Sequence, residues 1–271
     1  MFAFELLVLV YCASLGVTAL VLPRVRHRRS AVAAAGAAAA TVTLAALGEL
    51  PAWVRLFLLP HCYIGAGYWI PAMLVPVQPP SGGRTHFERW LVRSDERVRP
   101  LLPPLPRSVA QMAELAYLAC YPLVPICVGL VWLRGEPSDL VRYWTTVIAA
   151  GFACYVSLPW LVSRPPSMLV APDDGFVPRV AASAPLAVAG LNRWVLSRVS
   201  HRWTTFPSGH VAVACAAAAA LGRVWPAAGA VAGIVAAGVA IGAVAGRYHF
   251  VVDVLAGVAV TVVVLVVTWA R

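Results

Sequence analysis

The sequence predicts an all-α fold, a polytopic transmembrane helical bundle of about eight apolar helices. Three observations predict it. Hydrophobic residues make up 61% of the 271 and charged residues only 12%, where soluble domains carry roughly a quarter charged. Mean hydropathy is +0.80. Apolar stretches long enough to cross a bilayer, which takes roughly 20 residues, recur along the whole chain and leave no room for a separate soluble domain.

Taken in order, stretch 3–22 has no positive residues before it and is followed by Arg24, Arg26, Arg28 and Arg29. It therefore reads as a retained helix with its C-terminal end in the cytoplasm, not as a cleaved signal. Stretch 31–49 is alanine-rich. Stretch 54–77 carries Pro60, Pro71 and Pro76; it either spans or re-enters, and the choice inverts the topology of everything after it. The hydrophilic 78–108 that follows, rich in Pro, Gly, Ser and Arg, reads as a connecting loop with a short surface helix around His86–Arg97. Stretches 109–133 and 141–162 are the next two spans. A second long hydrophilic segment, 163–206, precedes 208–222, 225–246 and 249–269. The expected division is an N-terminal part, 1–108, of helices and basic loop, and a core, 109–271. No internal repeat is evident.

All 21 basic residues are arginine and the net charge is +10. A GC-rich coding sequence accounts for that bias, since its codons favour Arg, Ala, Val, Gly and Pro together. With eight spans, sixteen arginines fall on one side and five on the other, which places the crowded side in the cytoplasm and both termini outside. The basic residues are spread over membrane loops with no soluble basic face, so nucleic-acid binding is excluded despite the pI near 9.9. The six cysteines lie in or beside apolar stretches without C-x-x-C spacing and read as small buried hydrophobes.

Ionisable residues in apolar helices are costly and default to function. At 207–210 the row reads Pro207-Ser208-Gly209-His210 at the abrupt start of an apolar helix. Proline suits a helix entry, and the unpaired amides of Ser208 and Gly209 at a positive dipole end suit a phosphate. At the opening of the last apolar helix, His249 stands four residues before Asp253, a spacing that puts both on one helical face. A carboxylate on one ring nitrogen fixes the tautomer and frees the other nitrogen for attack. Arg164, followed by two prolines, marks the end of the 141–162 helix. With alternating spans, the three clusters share one membrane side and converge on one pocket. Each is weak alone: helix entries favour Pro and Ser, His-x-x-x-Asp can be a structural pair, and an arginine before prolines can anchor at the interface.

Together they resemble the signature of the type-2 phosphatidic acid phosphatase superfamily, over about residues 157–257. Arg164-Pro165 matches the first block, although the family's lysine position falls on Ser157. Pro207, Ser208, Gly209 and His210 match the second in full. His249 and Asp253 match the third, although the family's arginine position falls on Ala243 and the nearest substitute is Arg247. The resemblance implies His249 as nucleophile, Asp253 as its orienting partner and His210 as the acid that protonates the leaving oxygen. It implies that Arg164, Ser208, the Gly209 amide and Arg247 bind phosphate. Arg193, Arg198 and Arg202 are candidates to replace the two missing cations.

The implied activity is metal-independent hydrolysis of a lipid phosphate or pyrophosphate through a phosphohistidine, with no cofactor and no metal. The expected partners are a membrane lipid substrate and the bilayer, in a multi-pass protein of the cell membrane. Transfer of a phospho-headgroup, such as inositol phosphate, to an alcohol is the alternative, since only the group resolving the phosphohistidine differs. A non-enzymatic membrane protein with a degenerate phosphatase fold is the second. Among the remaining polar residues, His61 reads as an interfacial residue, while His27, His86 and His201 read as solvated loop residues or headgroup neighbours. Glu49 and Glu114 read as helix-end residues, Glu114 complementing a dipole.

Overall fold

The computed structural model describes residues 1–48, 50–76, 84–98, 106–169, 187–201 and 203–270. Glu49 and Arg202 lie outside the described residues, as does the side chain of Arg193. The described chain is helical throughout, with isolated antiparallel bridges at Val25–Pro76 and Ser163–Thr204 as the extended pairings. Helices α1 (Ala3–Val21) and α2 (Arg28–Leu47) are followed by a π-helical turn, Val54–Leu58, that runs into α3 (Leu59–Met73). Such turns leave backbone carbonyls off the regular ladder, and Trp144 Nε1 donates to the Leu56 carbonyl at 2.7 Å. Next come α4 (His86–Val98), α5 (Arg107–Leu118), α6 (Cys120–Arg134), α7 (Pro137–Tyr155) and the single turn α8 (Pro166–Leu169). The chain ends with α9 (Ala187–Val199), α10 (Gly209–Val224), α11 (Pro226–Ala245) and α12 (Val251–Trp269).

Four of these, α1, α2, α11 and α12, are long and apolar enough to cross a membrane. Their outward faces carry exposed Leu6, Val10, Leu44, Ile234, Val262 and Val266, the arrangement of helices solvated by lipid. Stretch 109–133 is not one straight helix: α5 and α6 meet at Ala119 with a 55° bend. The cause is Pro122, which has no N–H to donate and whose ring collides with the carbonyl four residues back, that of Leu118. In the same way, α7 stops at Tyr155, short of the expected 162, where Pro159 has no N–H to give the Tyr155 carbonyl, which accepts the Leu158 N–H at 3.1 Å instead. Arg164 therefore sits in a loop beyond the helix, not at its end.

The core is built on α10, whose Val211, Ala212, Val213, Ala214, Ala216 and Ala217 are all buried. Small side chains let it run close to α6, α7, α11 and α12 at once. Helix α4 is amphipathic instead of merely superficial. Its Leu91 and Val92 pack with Phe250, and its Glu88 and Asp95 are buried beside them while Arg89, Arg93 and Arg97 face outward.

Candidate active site

Two helix starts and one loop define the polar centre. Ser208 is the residue before α10 and donates its N–H to the Asp253 carbonyl at 2.9 Å. That contact needs Gly257, because a Cβ there would stand 2.6 Å from the Ser208 carbonyl oxygen. The starts of α10 and α12 are thus locked together, bringing His210 and His249 to ring centroids 6.0 Å apart.

His249 lies one residue before the cap of α12, so its pairing with Asp253 is not the helical-face contact that the spacing suggests. Asp253, fully buried, instead turns back from the first helical turn. Its Oδ2 accepts the Phe250 N–H at 3.1 Å, capping the helix, and faces His249 Nδ1 at 3.4 Å. The second distance is long for a hydrogen bond. The Val251 N–H, another of the unpaired donors at this helix start, is met by Asp95 Oδ1 of α4 at 2.9 Å.

A cavity of about 390 Å³ opens over the pair, lined by both histidines, Pro165, Tyr68, Tyr117 and Tyr248 among others. Arg164, Ser208, Gly209 and Arg247 are not among the residues that line it. Arg164 is forked onto Glu88, Nε to Oε1 at 2.8 Å and Nη2 to Oε2 at 2.9 Å, and its backbone N–H also reaches Oε1 at 3.1 Å. Burial pushes the Glu88 carboxyl up, but the hydrogen bonds from Arg164 and Thr85 outweigh it and hold the group below its ordinary value. Arg247 adopts φ of 59° and donates to the Pro166 carbonyl at 3.3 Å. The Gly209 N–H meets Thr205 Oγ1 at 3.1 Å. Arg198 lies over the Trp194 ring at 4.3 Å, on an exposed face. Neither family cation position can act as one: the Ser157 hydroxyl donates to the Cys154 and Phe206 carbonyls, and Ala243 is fully buried. Among the described residues, no group of three or more His, Cys, Asp or Glu is arranged to hold a metal ion.

Several neighbours of the centre were not legible as such. His201, expected to be solvated, stacks on Tyr68 at 4.3 Å and lines the cavity. Burial pushes its imidazole down to about 4, with a smaller contribution from the charge on His249 and an opposing one from the Trp203 backbone. Glu114 is not a helix-end residue but is buried inside α5, accepting the Tyr248 hydroxyl at 2.8 Å and Asn192 Nδ2 at 2.7 Å. Glu88 and Asp95 come from α4, far back in sequence. None carried a local signal, because each acts only through a partner brought by tertiary contact. His61 is half-buried, its ring 4.8 Å from that of Trp144, and Cys62 is exposed, unlike the buried thiols of Cys12, Cys120, Cys127 and Cys154.

The described residues form a helical protein with four helices long and apolar enough to cross a membrane, or five if the bent α5–α6 pair is one span, and with two histidines facing one cavity, one of them against a buried carboxylate. The model of the PAP2 superfamily matches residues 85–267, more than half of the chain and including α4. The chain belongs to the PAP2 superfamily, whose members are phosphatases or related phosphoesterases. No curated protein and no solved structure matches it.

Proposed function

We propose that the protein is a multi-pass enzyme of the cell membrane that cleaves a phosphoester of a membrane lipid, without a metal ion, through a phosphohistidine on His249. The observation that carries the reading is the pair itself: two imidazoles 6.0 Å apart across one cavity, one of them backed by a buried carboxylate. That separation leaves room for a phosphorus atom to bond one ring while the other meets the leaving oxygen. With the proton held on Nδ1 toward Asp253, Nε2 of His249 attacks the phosphorus. His210 gives a proton to the departing oxygen and then takes one from the incoming water.

Arg164, Ser208, Gly209 and Arg247 are assigned to the phosphate oxygens. Donors preorganised where charge develops account for most of the acceleration in such reactions. A lipid phosphate or pyrophosphate is the substrate class the family resemblance implies. Transfer of a phospho-headgroup to an alcohol is the second reading, favoured by the hydroxyl-rich wall of the cavity at Ser197, Ser200, Thr204 and Thr205.

The test is product release by purified protein from a panel of phosphorylated lipids in detergent with EDTA, with and without an alcohol acceptor, beside His249→Ala. Turnover that the variant loses, with a phosphoryl label on His249 that acid removes and alkali leaves in place, supports the reading. Full activity of the variant, or inhibition by EDTA that added metal reverses, overturns it. Silence of folded protein across the panel favours a degenerate, non-enzymatic fold.

A further inference from the structure

Helix α4 has two opposed faces. Inward, Glu88 and Asp95 are buried with Leu91 and Val92, Glu88 forked onto Arg164 and Asp95 accepting the Val251 N–H at the start of α12. Outward, Arg89, Arg93 and Arg97 are exposed. Their spacing of four residues sets them in one row, about 12 Å from first to last. Trp90 flanks the row, exposed, and its ring packs on those of Phe87 and Phe206 at 5.7 Å each. Glu96 is the one carboxylate of α4 that faces outward. Among the described residues, none of the three arginines is ion-paired. Arg89 also donates to the Arg84 carbonyl at 2.6 Å, a contact that leaves its charge unmatched.

The place of α4 follows from its contacts. Helix α12 is apolar and long enough to cross a membrane, and Asp95 meets its first turn, so α4 lies at the end of a span. At the same end, the turn between α1 and α2 exposes Arg24, Arg26, Arg28 and Arg29. The His27 N–H ties that turn to the Met73 carbonyl at the end of α3, at 3.3 Å, and earlier in α3 the ring of Tyr68 stands 5.8 Å from that of His210. The arginine row and the histidine pair thus share one end of the bundle.

A row of guanidiniums flanked by tryptophan is the composition of a helix held at headgroup level. The row is open and extended, so a small anion would touch one arginine, whereas a layer of headgroups touches all three. Guanidinium suits the oxygens of such headgroups. We propose that α4 docks through Arg89, Arg93 and Arg97 on anionic lipid headgroups of the surrounding bilayer, and that this contact steadies Arg164 and the start of α12 from the opposite face of the same helix. The proposal rests on the membrane reading above.

The experiment is amide hydrogen exchange of the full chain in nanodiscs of phosphatidylcholine alone, of equal parts phosphatidylcholine and phosphatidylglycerol, and of phosphatidylcholine with oleate, an anion without phosphorus. Each arginine near an anionic surface favours the docked state by about 5-fold, and three by about 10²-fold at most. Exchange across α4 is expected to slow by about 10-fold or more in both anionic discs. It should return toward the neutral value in about 1 M salt, where the screening length is about 3 Å. The Val251 amide, held by Asp95, should slow with it. Arg89→Gln, Arg93→Gln and Arg97→Gln together, which keep helix propensity, should remove the dependence on lipid charge. Equal exchange of α4 in neutral and anionic discs overturns the docking, and an unmoved Val251 amide overturns the steadying of the site. Slowing by phosphatidylglycerol but not by oleate places the lipid in the cavity and overturns the surface contact, as does equal slowing by inorganic phosphate in neutral discs. Should the triple variant not fold, the comparison between discs decides. A chain that does not enter nanodiscs defeats the membrane reading itself, a result separate from entry without a response of α4.

Discussion

Replacing Asp253 by Asn keeps the side-chain volume at a fully buried position and retains an oxygen that can accept the Phe250 N–H, now at 3.1 Å. The helix start should therefore survive. What changes is the face toward His249. An amide N–H directed at Nδ1 makes that nitrogen an acceptor and moves the ring proton to Nε2, the nitrogen that must attack. The charge is lost as well: at 3.4 Å and an effective dielectric of about 20, a carboxylate and an imidazolium attract by about 5 kcal/mol. If the amide dipole restores half, some 2–3 kcal/mol of stabilisation disappears from the step that puts positive character on the ring, about 10²-fold in rate at about 1.4 kcal/mol per decade. The tautomer effect adds to this, so a loss of about 10²- to 10⁴-fold in kcat is expected, with KM little changed because Asp253 does not touch substrate. The assay is phosphoester turnover and the pre-steady-state rate of His249 labelling, with circular dichroism as the fold control. A folded variant within about 3-fold of wild type would refute the orienting role.

His210→Ala should cost about 10²- to 10⁴-fold on alkyl esters but less than about 10-fold on a p-nitrophenyl ester, whose leaving group needs no proton; equal losses on both would exclude the acid role. The imidazole of His201, pushed down to about 4 by burial, stays neutral in the folded state while the unfolded chain binds a proton below about 6.5. Its contribution to stability is thus fully present above about pH 6.5 and is lost as the pH falls toward 4, so His201→Gln should flatten the decline in Tm between pH 7 and about 4; an unchanged slope would show that the ring protonates freely in place. Gly257→Ala puts a Cβ 2.6 Å from the Ser208 carbonyl and should lower stability by about 1–3 kcal/mol, the usual cost of overpacking, measured as a fall in Tm together with activity. Unchanged Tm and turnover would mean that the two helix starts are not tightly locked.

The pieces that the fold brings together were readable because each has a local cause. Pro207 and Ser208 announce a helix start, and His249 with Asp253 places an ionisable pair where apolar sequence makes it expensive. Helix boundaries read less well where proline acted at a distance of a few residues: Pro122 splits 109–133, and Pro159 ends α7 before Arg164 is reached. The amphipathic α4 was visible as a helix around His86–Arg97, but nothing in its sequence says that Glu88 faces Arg164 across 76 residues or that Asp95 faces the start of α12 across 156.

The sequence by itself determined the run of apolar helices, four of them long enough to cross a membrane, and the motifs that mark the family, because hydropathy, helix entry and motif spacing belong to residues and their near neighbours. Tertiary structure alone decided the charge the centre presents. Whether Arg164 offers a full positive charge or one already met by Glu88, and whether His201 is solvated or packed on Tyr68, depends on which distant side chains the folded helices bring within a few ångströms. Electrostatic energy varies with that separation and with burial, and neither is written in the order of residues along the chain.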